Sequence, residues 1–186
     1  MRWVPFAILA YLVIVLQCSL GQMLTFEISA IGSVGPDLAA VAALFIALHA
    51  RRAADALLAA WVLGFALDLS SASGPGGVTV VGPMALAYVL AAGAVYKIRE
   101  ALFAERVLTR AVVGVIFCLL AHLPWVTLQT ILAHNVMTWQ AYGARLLQAM
   151  AISAYTGVVT PVFYPLLDRV RKWLISVPAE RPGRRR

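Results

Sequence analysis

From Trp3 to Leu24 the chain carries no charged residue. A helix rises 1.5 Å per residue, so about 20 apolar residues cross the roughly 30 Å of hydrocarbon in a bilayer. A run of this kind restricts the chain to few folds. In lipid each backbone N–H and C=O must be satisfied within the protein, which leaves helices or closed barrels. The apolar residues here come in long runs rather than in alternation, which selects helices.

Further runs follow. The second begins at Pro36-Asp37 and ends before Arg51-Arg52. The third covers Asp55 to Leu69, the fourth Val78 to Tyr96, the fifth Val107 to Ala133 and the sixth Ala144 to Leu167. The expectation is an all-α polytopic membrane protein with six transmembrane helices. The second and third runs are short, and a short span must thin the bilayer, extend into polar flanks or pack inside a bundle. Phe26 to Val34 is read as a turn or a re-entrant piece before the second span.

Composition agrees. Of 186 residues, 62% are hydrophobic and 12% charged, where soluble domains average roughly 45–50% apolar and about 25% charged. That balance excludes a soluble globule, a disordered chain and a fibrous one. The net charge of +7 does not indicate nucleic acid, because the basic residues lie between the apolar runs and at the C-terminus and no nucleic-acid motif accompanies them. Of the 15 Lys and Arg, all except Arg145 fall on one side of a six-span threading. The positive-inside rule makes that side cytoplasmic and places both termini there. The segment from Arg2 through Ser19-Leu20-Gly21 resembles a signal peptide, but its apolar run is long for one, and it is read as a retained span. A single transmembrane domain over 1–175 is expected, followed by a disordered basic cytoplasmic tail, 176–186, which anchors on anionic lipid or binds a partner. Cys18 and Cys118 lie inside apolar runs and are read as small hydrophobes rather than a disulfide.

Polar groups at membrane depth each require a reason. Asp37 follows Pro36 at the outer start of span two, where an acid faces the positive end of the helix dipole. Asp68 ends span three, where an acid opposes the dipole. Its readings are a solvated helix end, a hydrogen bond to a neighbouring helix, or a binding role. The two carboxylates are expected at similar depth near the outer surface. Neither sits in an intramembrane protease motif, so acid–base chemistry is not expected of them. Ser70 to Gly77 reads as a flexible loop. No Lys or Arg follows its glycines to complete a phosphate site. His122 lies mid-span before Pro124, which should kink the helix. It could hydrogen-bond across helices, but it lacks a second ligand at metal spacing. Ser153, Thr156 and Thr160 mark one side of span six. Gly64, Gly93 and Gly114 read as close helix packing.

One stretch carries a family signature. Gly35-Pro36-Asp37-Leu38 opens span two, and Gly64-Phe65-Ala66-Leu67-Asp68-Leu69-Ser70 ends span three. Met84 to Gly93, with Tyr88 inside it, then runs to the basic Lys97-Ile98-Arg99. This order resembles the rod shape-determining protein MreD family over residues 35 to 99. The loop Ser73 to Val78 departs from the family's Pro-Leu-Gly pattern.

The resemblance implies a non-enzymatic membrane scaffold of the bacterial cell-elongation (peptidoglycan synthesis) machinery. Its direct partner would be an MreC-like bitopic protein. Indirectly it would act with an MreB-like filament, a RodA-type glycosyltransferase and a penicillin-binding transpeptidase. The implied fold is that of the S components of energy-coupling-factor transporters. The candidate partner-binding residues are Pro36, Asp37, Gly64, Phe65, Asp68 and Tyr88. No catalytic residue, metal or cofactor is expected. The alternative is a vitamin-binding subunit of the S-component type, with a pocket built from Glu27, Asp37, Asp68 and Asn135.

Overall fold

Ten consecutive side chains, Leu38 to Ala47, are buried. They belong to the second helix, α2 (Leu38–His49). A helix apolar on every face has no side to offer water and is stable only when surrounded. The rest of the fold surrounds it. In a computed structural model, which describes residues 1–71, 80–101, 107–132 and 139–174, α2 packs against all five other helices. These are α1 (Trp3–Leu16), α3 (Ala53–Ser71), α4 (Pro83–Ile98), α5 (Val107–Leu132) and α6 (Trp139–Leu174). The core is Ala-rich where helices meet, with Ala39, Ala43, Ala59, Ala60, Ala91 and Ala92 at 0–1% exposure. Small side chains let helix backbones approach, which replaces the missing hydrophobic drive between helices in lipid with van der Waals contact.

Glycine closes two of these contacts. A Cβ on Gly64 would lie 2.7 Å from the Met84 carbonyl oxygen and 2.8 Å from Ala85 Cα. A Cβ on Gly114 would lie 2.5 Å from Thr160 Oγ1. Gly93, expected to act alike, would meet only Leu57 Cδ2 at the ordinary distance of 3.4 Å.

Among the described residues, four helical segments are long and apolar enough to cross a membrane: Trp3–Gly21, Ala53–Ser70, Leu108–Leu132 and Trp139–Leu174. α3 is therefore a full-length helix, not a short one. α4, at 16 residues, is shorter than its apolar run. α6 exceeds its run at both ends and continues through Pro161 and Pro165, as α5 continues through Pro124. The stretch after α1 differs from both expectations. α1 runs on through a π turn (Gln17–Gly21), and β1 (Phe26–Ile28) then pairs antiparallel with β2 (Gly32–Val34), Glu27 opposite Ser33. Gly32, at φ 88°, makes the tight turn. The hairpin lies on α6, where Gln148 Nε2 donates to the Ser33 carbonyl over 2.7 Å.

The opposite end of the bundle gathers basic segments that are distant in sequence. Arg2 N donates to the Leu174 carbonyl over 3.0 Å, Tyr96 Oη to the Arg51 carbonyl over 3.0 Å, and the Arg99 guanidinium to the Ala50 carbonyl. Arg110 lies over the Tyr164 ring at 4.3 Å. The chain start, the α2–α3 turn and the ends of α4 and α6 thus share one end, and Arg145 lies less than one turn before Gln148 near the other. The expected 70–77 loop (beyond Ser71), Asn135 and the 176–186 tail lie outside the described residues.

Candidate functional site

α2 spans about 18 Å at 1.5 Å per residue, less than its neighbours. Its last turn sits at the basic end, so its first turn is recessed within the bundle. Asp37 is there, 5% exposed. Its Oδ1 accepts from Ala40 N over 2.9 Å, an N-cap that satisfies one of the open amides of the first turn. The Asp37 amide donates to Thr156 Oγ1 of α6 over 2.9 Å. Gln17, in the π turn, clamps the same corner: Nε2 donates to the Pro36 carbonyl over 3.0 Å, and Oε1 accepts from Leu38 N over 2.7 Å.

The second carboxylate oxygen of Asp37 faces two other helices. Tyr88 of α4 donates its phenol to Oδ2 over 2.5 Å, and His122 Nε2 of α5 lies 3.4 Å from it. His122 Nδ1 lies 3.0 Å from the Cys118 carbonyl, which only accepts, so Nδ1 carries a hydrogen. Asp37 therefore joins α2, α4, α5 and α6, and the cluster is a structural knot as well as a polar one.

Asp68 solves a different end problem. At the C-terminal end of α3, its Oδ2 accepts from Gly82 N and Met84 N, each over 2.9 Å, and from Ala85 N over 3.4 Å. The carboxylate caps the N-terminus of the neighbouring helix α4, where dipole and open amides both favour an anion. Gly64, one turn earlier, provides the close approach that brings Asp68 there. Of the readings left open for Asp68, the geometry gives the hydrogen bond to a neighbouring helix.

Above the recessed first turn of α2 lies an open cavity of about 320 Å³. Its polar wall includes Gln17, Asp37, Asp68, His122, Trp125 and Gln148, and its apolar wall includes Leu67, Met84 and Ile152. The Trp125 indole lies beside the Asp68 carboxylate as its nearest side-chain donor, although its buried Nε1 meets no acceptor among the described residues at good hydrogen-bond geometry. No group of three His, Cys, Asp or Glu among the described residues could hold a metal ion.

The six residues singled out from the sequence divide unevenly. Pro36, Asp37, Gly64, Asp68 and Tyr88 are interior, whereas Phe65 is half-exposed and stacks on Trp61 at 5.3 Å between ring centroids. Glu27, placed in the alternative pocket, is exposed on β1 and does not line the cavity. Sequence reasoning passed over Gln17, Trp125 and Gln148. Their signal is modest, a polar or N–H-bearing side chain within an apolar run.

What fold and site define, among the described residues, is a helical protein of membrane-spanning character, five helices built around a short buried one, with four segments long and apolar enough to cross a membrane. Comparisons with protein-family models, with curated proteins and with solved structures return no match.

Proposed function

We propose that this chain is a multi-pass protein of the bacterial cytoplasmic membrane and a non-enzymatic scaffold of the cell-elongation machinery. All six helices span or line the membrane-embedded bundle, with the basic end and both termini cytoplasmic and the hairpin and cavity facing outward. Its direct partner is an MreC-like bitopic protein. Through that partner it acts with an MreB-like filament, a RodA-type glycosyltransferase and a penicillin-binding transpeptidase. The fold it adopts is the one the resemblance implies, that of the S components.

The observation that carries this reading is the fate of the signature residues. Pro36-Asp37, Gly64, Asp68 and Tyr88 form one frame that fixes the starts of α2 and α4. A signature made of such residues defines a shape, as a docking protein requires, rather than a reaction. Phe65 and Trp61, like Leu69, Leu86 and Leu90, meet the surroundings of this region, and the stacked pair Phe65 and Trp61 is the proposed contact for a partner's transmembrane helix. The gathering of basic segments at one end supports the orientation.

The test is co-purification from membranes with the MreC-like protein, combined with a photo-crosslinking residue at Phe65 or at Tyr11 on α1. A crosslink from Phe65 and none from Tyr11 is expected. Absence of a stoichiometric complex overturns the scaffold reading. A complex that forms equally well with Phe65→Ala and Trp61→Ala overturns the contact.

The open cavity favours a second reading, a small-molecule-binding subunit of a transporter. A vitamin retained at one per chain through purification would put that reading first.

A further inference from the structure

We infer that the β1–β2 hairpin is a membrane-interface anchor, with its apolar face seated in the outer lipid leaflet and its polar face turned to the cavity. The inference rests on the reading that α1 and α6 cross the membrane with the basic end cytoplasmic.

Depth is the first support. Arg2 meets Leu174 at the basic end. From there the helical segment Trp3–Gly21 rises about 28 Å, close to the roughly 30 Å of hydrocarbon in a bilayer. The chain therefore leaves the bilayer core near Gly21. The hairpin begins at Phe26, so it stands at that boundary rather than far above it.

Sidedness is the second. Side chains alternate along a strand, and residues directly opposite each other in an antiparallel pair share a face. Phe26 shares a face with Val34, and Ile28 with Gly32, while Glu27 and Ser33 take the other. The hairpin is thus apolar on one side and polar on the other. Ser33 lines the cavity, which gives the polar side its direction. On the apolar side Val34 is buried, but Phe26 and Ile28 stay exposed, as do Leu20, Met23 and Leu24 just before them. An exposed apolar cluster of this kind marks a contact surface.

Continuity identifies what covers it. Val4, Ile8, Tyr11 and Val15 form the exposed stripe of α1, the face a spanning helix gives to lipid. Leu20 and Met23 carry that apolar surface on toward the hairpin, and no charged residue interrupts the chain from Trp3 to Phe26. On the other flank the Phe26 ring packs on Tyr155 of α6 at 5.6 Å between centroids. Val158 and Val162, on the same side of α6, are exposed. The apolar face of the hairpin therefore bridges the lipid-facing surfaces of two spanning helices.

The backbone limits how deep the hairpin can sit. Among the described residues β1 pairs only with β2, so its outer edge carries open amides and carbonyls. Hydrocarbon cannot satisfy such groups. The strand stays among the lipid headgroups and their water, with Phe26 and Ile28 dipping beneath.

Spin labels on the full chain, purified and reconstituted into phosphatidylethanolamine–phosphatidylglycerol liposomes, test this. The background has Cys18 and Cys118 replaced by Ala. Power-saturation EPR compares collisions with oxygen, which concentrates in hydrocarbon, and with a water-soluble nickel chelate. Labels at Met23→Cys, Phe26→Cys and Ile28→Cys are expected to favour oxygen. Labels at Glu27→Cys and Ser33→Cys are expected to favour nickel, so that preference alternates along β1. A label at Tyr11→Cys, in mid-span, should favour oxygen most strongly.

Nickel preference at all five positions from 23 to 33, with Tyr11 still in hydrocarbon, overturns the anchor and leaves the span standing. Oxygen preference at all five, without alternation, overturns the two-faced arrangement. Shielding of positions 26 and 28 from both reagents means that a second copy of the chain covers them, which also overturns the assignment. A nickel-accessible Tyr11 label removes the span itself, and the inference with it. Impermeant-maleimide labelling of Ser33→Cys in intact spheroplasts assigns the leaflet, and labelling only after lysis overturns the outer one.

Discussion

Tyr88, in the second turn of α4, donates its phenol to Asp37 at the start of α2 over 2.5 Å. Both side chains are buried, Tyr88 at 0% and Asp37 at 5% exposure. The bond fixes the axial position of α4 against the central helix. Tyr88→Phe keeps the ring and its edge-on packing against Phe117 at 5.9 Å but removes the donor to a buried carboxylate. A loss of about 1–3 kcal/mol in unfolding free energy is expected, read by denaturation in detergent. A variant as stable as the parent would remove Tyr88 from the frame.

Asp68 and Gly64 act together on the start of α4. Asp68→Ala leaves the amides of Gly82, Met84 and Ala85 without their acceptor, so hydrogen exchange should accelerate at Met84 and Ala85 and much less at Ala91. Asp68→Asn keeps an acceptor and should exchange close to the parent. Uniform acceleration along α4 would mean global destabilisation rather than loss of a cap.

Gly64→Ala places a Cβ against the backbone of Met84 and Ala85, which cannot yield as a side-chain tip can. Overpacking of this kind costs about 1–3 kcal/mol. A lowered thermal midpoint is expected. The matching change Gly93→Ala meets only a Leu57 methyl and should be near neutral, so equal effects at the two glycines would contradict the packing described.

Gln17 holds α1 to the start of α2 through two hydrogen bonds. Gln17→Leu should loosen that corner, increase exchange at Leu38, and leave the α5–α6 pair unchanged. Unaltered exchange at Leu38 would show that the π turn contributes no restraint.

The proposed orientation predicts opposite labelling of two cysteines introduced at exposed positions, in a background with Cys18 and Cys118 replaced by Ala. In intact bacterial spheroplasts a membrane-impermeant maleimide should modify Ser33→Cys on the hairpin and spare Arg52→Cys between α2 and α3. The reverse pattern, or labelling of both, would refute the threading.

Much of the helical layout is legible along the chain because it follows from local composition. Charge-free runs mark the helices, and the basic residues between them mark the segments that gather at one end. Asp37 is legible as a helix start because the capping bond reaches only to Ala40. Other features were not. Phe26–Val34 forms a hairpin, since its pairing rests on backbone hydrogen bonds and on α6 rather than on an apolar pattern. α6 extends beyond its apolar run because its first turns pack on β2 and α5.

The sequence by itself determined a predominantly helical architecture, the number of its long apolar helices and the shortness of α2, because each depends on how many apolar residues follow one another; the lengths of α3, α4 and α6 departed from their apolar runs. Only the tertiary structure decided what the polar residues do. Asp68 caps a helix whose N-cap residue, Gly82, comes fourteen residues later, and His122 and Tyr88 reach the same oxygen of Asp37 from helices far along the chain. The short α2 became the centre because a helix apolar on every side is stable only when enclosed. Its recessed first turn then left the cavity, since the longer helices around it continue past the point where it begins.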